Sequence, residues 1–172
     1  MCLASIYDCE ATYDKEVTIR RRVKRVQMKT LNLLHRVVLG ATRGRLGWSV
    51  GSMPAVELHT IGRTSGQRRS TMLTAPFHEA GRYVLVASMG GDDRNPEWYL
   101  NLVANPDIEL TVRGHTLAMR ARTATPAEKA ELWPRIVAAA PTYAGYQQKT
   151  ERDIPVIICE LRWGDEPPAG SG

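Results

Sequence analysis

The chemistry that this sequence signals most clearly is anion binding at a turn rich in arginine. Residues 55–61 and 70–77 have the apolar and β-branched composition of strands, and Thr64-Ser65-Gly66-Gln67 between them is typical of a hairpin turn. Three guanidinium groups are predicted to lie at this turn, those of Arg63, Arg68 and Arg69. A guanidinium is planar and always charged, and it binds phosphate or carboxylate through two parallel hydrogen bonds. The hairpin therefore predicts a site for an anionic ligand.

A glycine-rich loop forms a second candidate anion site. Residues 83–87 are short and continuously apolar, as in a strand buried on both faces, and Ser88-Met89-Gly90-Gly91 follows them. Asn95 as N-cap and Pro96 as first helical residue then predict a helix that contains Trp98. Free backbone N–H groups at such a helix start bind anions. Two such elements beside a buried strand predict a site for a phosphorylated, partly aromatic ligand.

The same residues also allow a simpler interpretation. Arginines at a hairpin are commonly solvated and Gly-Gly is commonly a plain turn, so spacing alone leaves both alternatives open. Neither the dinucleotide-binding fingerprint nor the Walker pattern occurs in the chain, which removes support for the standard nucleotide folds.

Length and composition bound the class of protein. The 172 residues, 43% hydrophobic and 24% charged, predict one globular domain with its own core. The three cysteines, Cys2, Cys9 and Cys159, form no CxxC motif, and the four histidines have no ligand-like spacing. We therefore expect neither a disulfide framework nor a metal site, and a reducing cytoplasm is the expected location. No apolar run is long enough to span a bilayer.

The net charge of +5 belongs to an N-terminal arm. Ten Lys or Arg and one acid, Glu16, lie within residues 15–45, whereas the 13 basic residues from position 46 onward are balanced by 14 acidic ones. Residues 15–39 are predicted to form an amphipathic helix and residues 40–51 a glycine-rich linker. Three alternatives explain the helix: packing of its apolar stripe on the domain, binding to anionic lipid, or nucleic-acid binding, which lacks aromatic residues among the cations.

The second half of the chain predicts further strands and helices. Residues 108–112 and 115–124 alternate as half-buried strands do, and residues 155–159 form a last strand. Thr125-Pro126-Ala127-Glu128 is a capping box that begins a helix, which Pro134 must end, kink or restart.

About six strands and three or four helices are therefore expected. Because the early strands are joined by hairpins and helices come later, the fold class predicted is α+β, with a mainly antiparallel six-stranded sheet curled into a small barrel. The expected divisions are an N-terminal arm and helix at 1–45, the domain at 46–164 and a flexible tail at 165–172.

Five segments occur in a specific order along the domain: GRTSGQRR, VASMGGDDRNPEWYLNL, ELWPRIV, PTYAGY and DIPVIICEL. In this order they resemble the deazaflavin-dependent nitroreductase family, whose members are also known as quinone reductases that use the reduced deazaflavin coenzyme F420. The resemblance runs from about Val56 to Leu161. It implies a split β-barrel of the flavin-reductase type, with which the predicted curled sheet agrees.

The resemblance also implies residue roles. The phosphate and acidic tail of the coenzyme would be bound by Arg63, Ser65 and Arg69. The deazaflavin ring would be held by the second hairpin strand, the end of the buried strand and the following helix: Thr71, Met72, Thr74, Ala87, Ser88, Trp98, Tyr99 and Asn101. Tyr143 and Tyr146 resemble the tyrosines that line the electron-acceptor side of the pocket.

The chain departs from the family at several of these sites. Thr64 and Met89 stand in the coenzyme site where the family often has lysine, so the grip on the phosphate or the tail would be weaker, with Arg68 as a compensating cation. Thr71-Met72-Leu73 replaces a frequent Asn-Pro-Leu, and Ala140 replaces a tyrosine found in some members that reduce nitro drugs. The last change weakens the case for nitro-drug reduction in particular.

The function expected from the resemblance is hydride transfer from reduced coenzyme F420 to a quinone or nitroaromatic acceptor. Ser88 would hydrogen-bond near the reactive edge of the ring, and Tyr143 and Tyr146 would orient the acceptor and stabilise or protonate the oxyanion. The basic helix would bind the inner membrane surface, where lipid quinones reside, and a homodimer is an arrangement that split barrels often adopt. Two alternatives stay open: an enzyme of the same barrel class that uses flavin mononucleotide, and a non-catalytic carrier of a deazaflavin or lipid.

Overall fold

The computed structural model of this chain describes residues 49–50, 53–79 and 81–162. The expected helix at 15–39 and tail at 165–172 lie outside the described residues, as does the expected linker apart from residues 49–50. The described part is an α+β fold built on a curled antiparallel sheet, as the sequence predicted.

Eight strands and three helices make up the described part of the chain. The strands are β1 (Ser49–Val50), β2 (Met53–Ile61), β3 (Arg68–Thr74), β4 (Phe77–Glu79), β5 (Arg82–Val86), β6 (Asp107–Val112), β7 (His115–Thr123) and β8 (Val156–Leu161). The helices are α1 (Glu97–Ala104), α2 (Pro126–Ala139) and α3 (Thr142–Gln147).

The expected number of six strands was too low by two short ones, β1 and β4. The strand predicted over residues 70–77 divides in two because Pro76 has no N–H to donate to a ladder. The sheet pairing therefore ends at Thr74 and resumes at Phe77 in β4, which pairs with β5.

Every strand pair in the described sheet is antiparallel. The main path is β1-β2-β6-β7-β8-β5-β4, and β3 pairs with the free side of β2. β3 and β4 thus end the sheet on opposite sides although they are consecutive in the chain. The sheet curls until residues of distant strands, such as Val56 of β2 and Leu85 of β5, belong to one buried cluster.

This inner cluster fills the concave side of the sheet. Its members alternate along the strands, with Val56 and Leu58 from β2, Met119 from β7 and Ile157 from β8 all less than 2% exposed. Burying such side chains contributes roughly 1.5–3 kcal/mol each relative to leaving them in water. Helix α1 packs Trp98 and Leu102 into this cluster, and the predicted helix that contains Trp98 is confirmed.

A second cluster lies on the outer face of the β5–β8 pair. Val84 and Val86 point outward from β5, while Leu85 and Ala87 point inward, because successive side chains of a strand lie on opposite faces. Helices α2 and α3 cover the outward side chains with Ile136 and Tyr143. The continuous apolar run predicted for a strand buried on both faces is therefore confirmed.

Particular residues determine where α1 and α2 begin and how far α2 extends. Thr125 and Glu128 form the predicted capping box, in which the Thr125 hydroxyl accepts from the Glu128 N–H at 3.3 Å. α2 continues through Pro134 to Ala139, because Pro134 is exposed while Leu132 and Ile136 anchor the helix to the outer cluster. α1 begins one residue later than predicted: Pro96 is its N-cap, and the Asn95 side chain instead accepts a hydrogen bond from Arg152.

Candidate functional site

The hairpin turn between β2 and β3 is bound to helix α1 through Arg63. The Arg63 backbone N–H donates to Asn101 Oδ1 at 3.1 Å, and its guanidinium donates to the same oxygen at 3.3 Å. The guanidinium also pairs with Glu97 Oε2 at 2.7 Å. Asn101 in turn donates to Thr60 Oγ1 at 3.4 Å. The side chain of Asn101 therefore holds the start of the turn against the helix.

The three arginines of the turn do not form one group. In the register of β2 and β3, Arg69 pairs with Thr60 and Arg68 with Ile61, so the two guanidiniums leave opposite faces of the strand. Arg68 forms an ion pair with Glu109 of β6, so it does not join the other two as the compensating cation that we expected. Arg63 and Arg69, called the arginine pair below, lie on the side of the turn that faces α1.

Arg69 is the less engaged member of the arginine pair. Its guanidinium donates to Ser65 Oγ at 3.4 Å, a long hydrogen bond, and within the described residues it forms no ion pair. Thr64 and Ser65 are exposed at the tip of the turn. The turn thus presents one available guanidinium, one guanidinium that shares a carboxylate, and two hydroxyl groups.

The pleat of β3 divides the predicted ring-binding residues. Thr71 pairs with Leu58 and so shares the inner face of the sheet, whereas Met72 and Thr74 pair with Glu57 and Ala55 on the outer face. Met72 is buried and Thr71 and Thr74 are half-buried. Because of this alternation, only a ligand that reaches around the edge strand can contact all three.

The loop after β5 has an uncommon backbone. Met89, Gly90 and Gly91 have φ angles of 48°, 69° and 80°, three consecutive residues in the left-handed region. For Met89, which has a Cβ, this conformation is disfavoured. Ala87 is buried in the inner cluster, while the Ser88 hydroxyl has no hydrogen-bond partner within the described part of the chain. Ser88 therefore has a donor and an acceptor available to a ligand.

The three predicted residues of helix α1 have different surroundings; they are Trp98, Tyr99 and Asn101. Trp98 packs in the inner cluster, edge-on to Tyr99 with ring centroids 6.4 Å apart. The Tyr99 hydroxyl hydrogen-bonds to Thr123 Oγ1 at 3.2 Å. Asn101 is committed to the turn and to Thr60, as described above. Trp98 and Asn101 thus fix the helix in place.

The two late tyrosines lie together on α3. The rings of Tyr143 and Tyr146 meet edge to face at 6.0 Å, and the Tyr143 hydroxyl lies 3.3 Å from Thr74 Oγ1. Tyr143 is 8% exposed, and this burial raises its pKa above the ordinary value for a tyrosine, against the smaller lowering effect of the Thr74 hydrogen bond. Its hydroxyl therefore stays protonated at neutral pH and can donate a hydrogen bond.

Two residues of the site were missed by the sequence reasoning. Glu97 lies within the NP-x-WYLNL segment, 34 residues after Arg63, and its acidic side chain was the one available signal of a partner for the arginines. Arg152 hydrogen-bonds to the loop after β5 but lies about sixty residues later in the chain, and no local pattern connects the two.

Three further observations concern a cavity, metal ligands and membrane-spanning helices. An open cavity of about 570 Å³ lies beside the loop after β5 and is lined by Asp93 and residues 148–152, none of which was predicted to bind the ligand. Across the described ranges no group of three or more His, Cys, Asp or Glu side chains is arranged to hold a metal ion. Nor is any helix in the described part long and apolar enough to cross a membrane.

Comparison with known proteins identifies the family. A model of the family described as F420H(2)-dependent quinone reductase matches residues 32–161. An F420H(2)-dependent quinone reductase of Mycobacterium tuberculosis H37Rv is 38% identical over 133 residues, which cover 75% of this chain and 89% of the relative.

Solved structures agree with that match. One titled as an F420-H2 dependent reductase is 41% identical, covers 62% of this chain and 94% of its own, and superposes with a TM-score of 0.57. A second, titled as a domain-swapped dimer, is 33% identical, covers 85% of this chain and 99% of its own, and has a TM-score of 0.59. Since the family model spans well over half of the sequence, this chain belongs to the F420H2-dependent quinone reductase family.

Proposed function

We propose that this protein transfers a hydride from reduced coenzyme F420 to a quinone, with the arginine pair and helix α1 as the coenzyme-binding centre. The observation that carries the proposal is the contact between the two most specific segments of the chain. Arg63 of the GR-x-SGQ-x-R turn is bound by Glu97 and Asn101 of the NP-x-WYLNL helix. The membership of the family supplies the coenzyme and the type of reaction.

The residues present fit a coenzyme with a phosphate, an acidic tail and a flat ring. Arg63, Ser65 and Arg69 offer cations and a hydroxyl at the exposed turn, and a Cβ placed on Gly66 would meet no atom within 4 Å, which leaves room for an anion there. We assign the phosphate and tail to these residues together with Thr64. We assign the ring to Thr71, Met72, Thr74, Ala87, Ser88, Met89, Trp98, Tyr99 and Asn101.

When bound, the reduced deazaflavin supplies the hydride, and the protein supplies binding, orientation and electrostatics. The arginine pair anchors the charged end, and this remote binding energy fixes the orientation of the other end. The Ser88 hydroxyl, which lacks a partner in the described residues, hydrogen-bonds at the ring edge.

The tyrosines of α3 act on the acceptor. The Tyr143 hydroxyl, held by Thr74, and the more accessible Tyr146 hydroxyl donate hydrogen bonds to the acceptor oxygen on which negative charge develops. Because the pKa of Tyr143 is raised by burial, the proton is present throughout the neutral range. A quinol oxygen then takes its final proton from Tyr143, Tyr146 or water.

We also propose three finer features of the molecule: its barrel type, its oligomeric state and a second class of acceptor. The curled sheet supports a split β-barrel of the flavin-reductase type, and the domain-swapped neighbour supports a homodimer, which light scattering of the purified chain would test. Nitroaromatic compounds are proposed as secondary acceptors. Ala140 is buried in the outer cluster and gives the acceptor no hydroxyl where some relatives have tyrosine, so their turnover should be slow.

The proposed coenzyme is tested by quenching of tryptophan fluorescence in separate titrations with coenzyme F420 and with flavin mononucleotide. We expect saturable quenching by the deazaflavin alone, since Trp98 lies in the helix that binds the turn. The variant Trp98→Phe should lose most of the signal, and Trp133→Phe on α2 is the matched control, which should keep it. Binding of flavin mononucleotide alone would move the protein to another flavin class, and binding without any quinone turnover would make it a carrier.

Replacing Tyr143 with Phe should lower kcat by about tenfold, the value of roughly one hydrogen bond to developing charge. The affinity for the coenzyme should change less than twofold, because the ring of Tyr143 that packs in the outer cluster is kept. Stopped-flow oxidation of the reduced coenzyme by a soluble quinone measures the first quantity and fluorescence titration the second.

Tyr83→Phe, a change of the same kind on β5, is the control for this prediction and should leave both quantities unaltered. An equal loss of turnover and coenzyme affinity in Tyr143→Phe would contradict the assignment to the acceptor side. Because burial raises the pKa of Tyr143, any loss of wild-type turnover from its ionisation should begin at a higher pH than for an ordinary tyrosine.

Replacing Glu97 with Gln should tighten coenzyme binding. The Glu97 carboxylate occupies the Arg63 guanidinium and competes with an incoming anion. An exposed pair of this kind is worth about 0–1 kcal/mol, so the gain should be at most about fivefold and should shrink as salt is added. Glu131→Gln on the exposed face of α2 changes the net charge equally and serves as control. A gain of the same size in the control, or none in Glu97→Gln, would remove Glu97 from the site.

The basic segment at residues 15–39 is proposed to bind the cytoplasmic surface of the membrane, where lipid quinones reside. This proposal rests on charge alone, since the segment lies outside the described residues. Each Lys or Arg near an anionic surface contributes about 1 kcal/mol. The protein should therefore sediment with liposomes that contain anionic lipid and be released by high salt. Retention in the supernatant at low salt would contradict the proposal.

A further inference from the structure

Most of the hydrogen bonds that hold the loop between β5 and α1 from outside come from the side chain of Arg152. The Arg152 guanidinium donates from Nη2 to the carbonyl oxygens of Ala87 and Ser88, each at 3.0 Å. It donates from Nε to the Asp92 carbonyl at 2.7 Å and from Nη1 to Asn95 Oδ1 at 2.9 Å. One rigid fork thus binds the first and the last residues of the loop, a task that a lysine ammonium with three donors at one point cannot copy.

The loop has little to hold it from within. Its internal backbone hydrogen bonds are from Gly91 N–H to the Ser88 carbonyl at 2.9 Å and a long one from Asp92 N–H to the Met89 carbonyl at 3.4 Å. Between these lies the left-handed backbone of Met89, which costs conformational energy. A strained segment persists only where its surroundings determine it, and here Arg152 is the principal surrounding donor.

Arg152 is itself attached to helix α3, which carries the two tyrosines. Gln147 of α3 donates to the Arg152 carbonyl at 2.8 Å and accepts from the Ile154 N–H at 3.0 Å. Thr150 donates to Asp93 Oδ1 at 3.0 Å, a second bond between this segment and the loop. Gln147, Thr150 and Arg152 thus connect helix α3 to the loop.

The loop and α3 also touch directly. A Cβ added to Gly91 would lie 2.7 Å from the Tyr146 carbonyl oxygen, so the loop backbone packs against the residue that bears one of the acceptor-side hydroxyls. Partial burial lowers the pKa of Arg152, opposed by the charges of Asp92 and Asp93, and the guanidinium stays charged in its pocket of carbonyl oxygens. Four of its five N–H donors are bound to protein acceptors, so it has less to offer an anion than Arg69 has.

We propose that Arg152 is a positioning residue that sets the placement of Ser88 relative to Tyr143 and Tyr146, and thereby of the coenzyme side of the site relative to the acceptor side. The inference rests on the proposed function for the meaning of that placement. The geometric part, that Arg152 orders the loop, stands independently of any ligand. Hydride transfer requires close approach of donor and acceptor, and small displacements reduce the rate strongly.

The test compares Arg152→Lys with Arg94→Lys. Both changes keep the charge, and Arg94 is an exposed arginine of the same loop whose guanidinium contacts Asp92 at 3.8 Å. Amide hydrogen exchange of the coenzyme-free chain should become at least about tenfold faster over residues 88–95 in Arg152→Lys, since bonds to a charged donor are lost. Arg94→Lys should leave that exchange unchanged.

Turnover provides the second readout. In Arg152→Lys, kcat should fall at least about tenfold while coenzyme affinity, which depends on the arginine pair, changes less than threefold. In Arg152→Ala, added guanidinium ion at low millimolar concentration should restore both slow exchange and turnover, whereas ammonium should not. Asn95→Ala, which removes one acceptor and leaves Arg152 in place, should give an intermediate effect and covers the case in which the Arg152 variants do not fold.

The outcomes distinguish the ordering of the loop by Arg152 from the effect of that order on turnover. Unchanged exchange over residues 88–95 in Arg152→Lys and Asn95→Ala would overturn the inference. Faster exchange with unchanged turnover would show that the loop is ordered by Arg152 but that its order does not serve the reaction, which also overturns it. If the wild type binds no coenzyme and reduces no quinone, the proposed function fails, and the exchange data still decide whether Arg152 orders the loop.

Discussion

The β5–β8 pair is buried on both of its faces, and the arrangement of the site depends on this constraint. Val84 and Val86 lie under helices α2 and α3, while Leu85 and Ala87 fill the inside of the curled sheet. Because both faces are covered, the carboxyl end of β5 has one direction in which to leave the sheet, and the loop that bears Ser88 begins there. The same pair fixes α3, which packs on its outer face. One strand thus places the residues of both sides of the proposed reaction.

The polar contacts of the site connect the elements that the core has assembled. Asn101 binds the start of the hairpin turn to α1, and Arg152 binds the loop after β5 to the segment that follows α3. The Asn101 side chain satisfies the backbone N–H of Arg63, and the Arg152 side chain satisfies three backbone carbonyl groups of the loop. Buried polar groups are stable only when hydrogen-bonded, so these two side chains allow irregular backbone to lie next to the core.

Few charged groups are available at the hairpin turn for binding an anion. Within the described residues, Arg63 shares Glu97 and Arg68 is paired with Glu109, which leaves Arg69 as the guanidinium of the turn without a carboxylate partner. Thr64 in the turn and Met89 in the loop after β5 carry no charge. Anion binding at this turn therefore depends on few charges. A single carboxylate such as Glu97 is enough to weaken it. Which arginines are paired follows from the positions of Glu97 on α1 and Glu109 on β6.

Local patterns were sufficient to predict the elements of the fold. The alternation of residues 108–112, the apolar run at 83–87 and the capping box at Thr125 each concern neighbours in the sequence, and each led to the element found. The motifs GR-x-SGQ-x-R and NP-x-WYLNL were sufficient to indicate the family. The short strand β4 was missed because a three-residue strand has too little periodicity to be recognised.

Tertiary structure decided which of these residues meet. The sequence placed Arg68 and Arg69 together in a turn, but β3 begins at Arg68, and the alternation of a strand then sends the two guanidiniums to opposite faces. Likewise no local signal connects Arg152 to Ser88, because their contact exists only once β5, β8 and α3 are packed. The sequence by itself determined the types of element and the chemical groups available. The pairing of those groups depended on strand register and on the curl of the sheet, which arise from contacts between residues far apart in the chain.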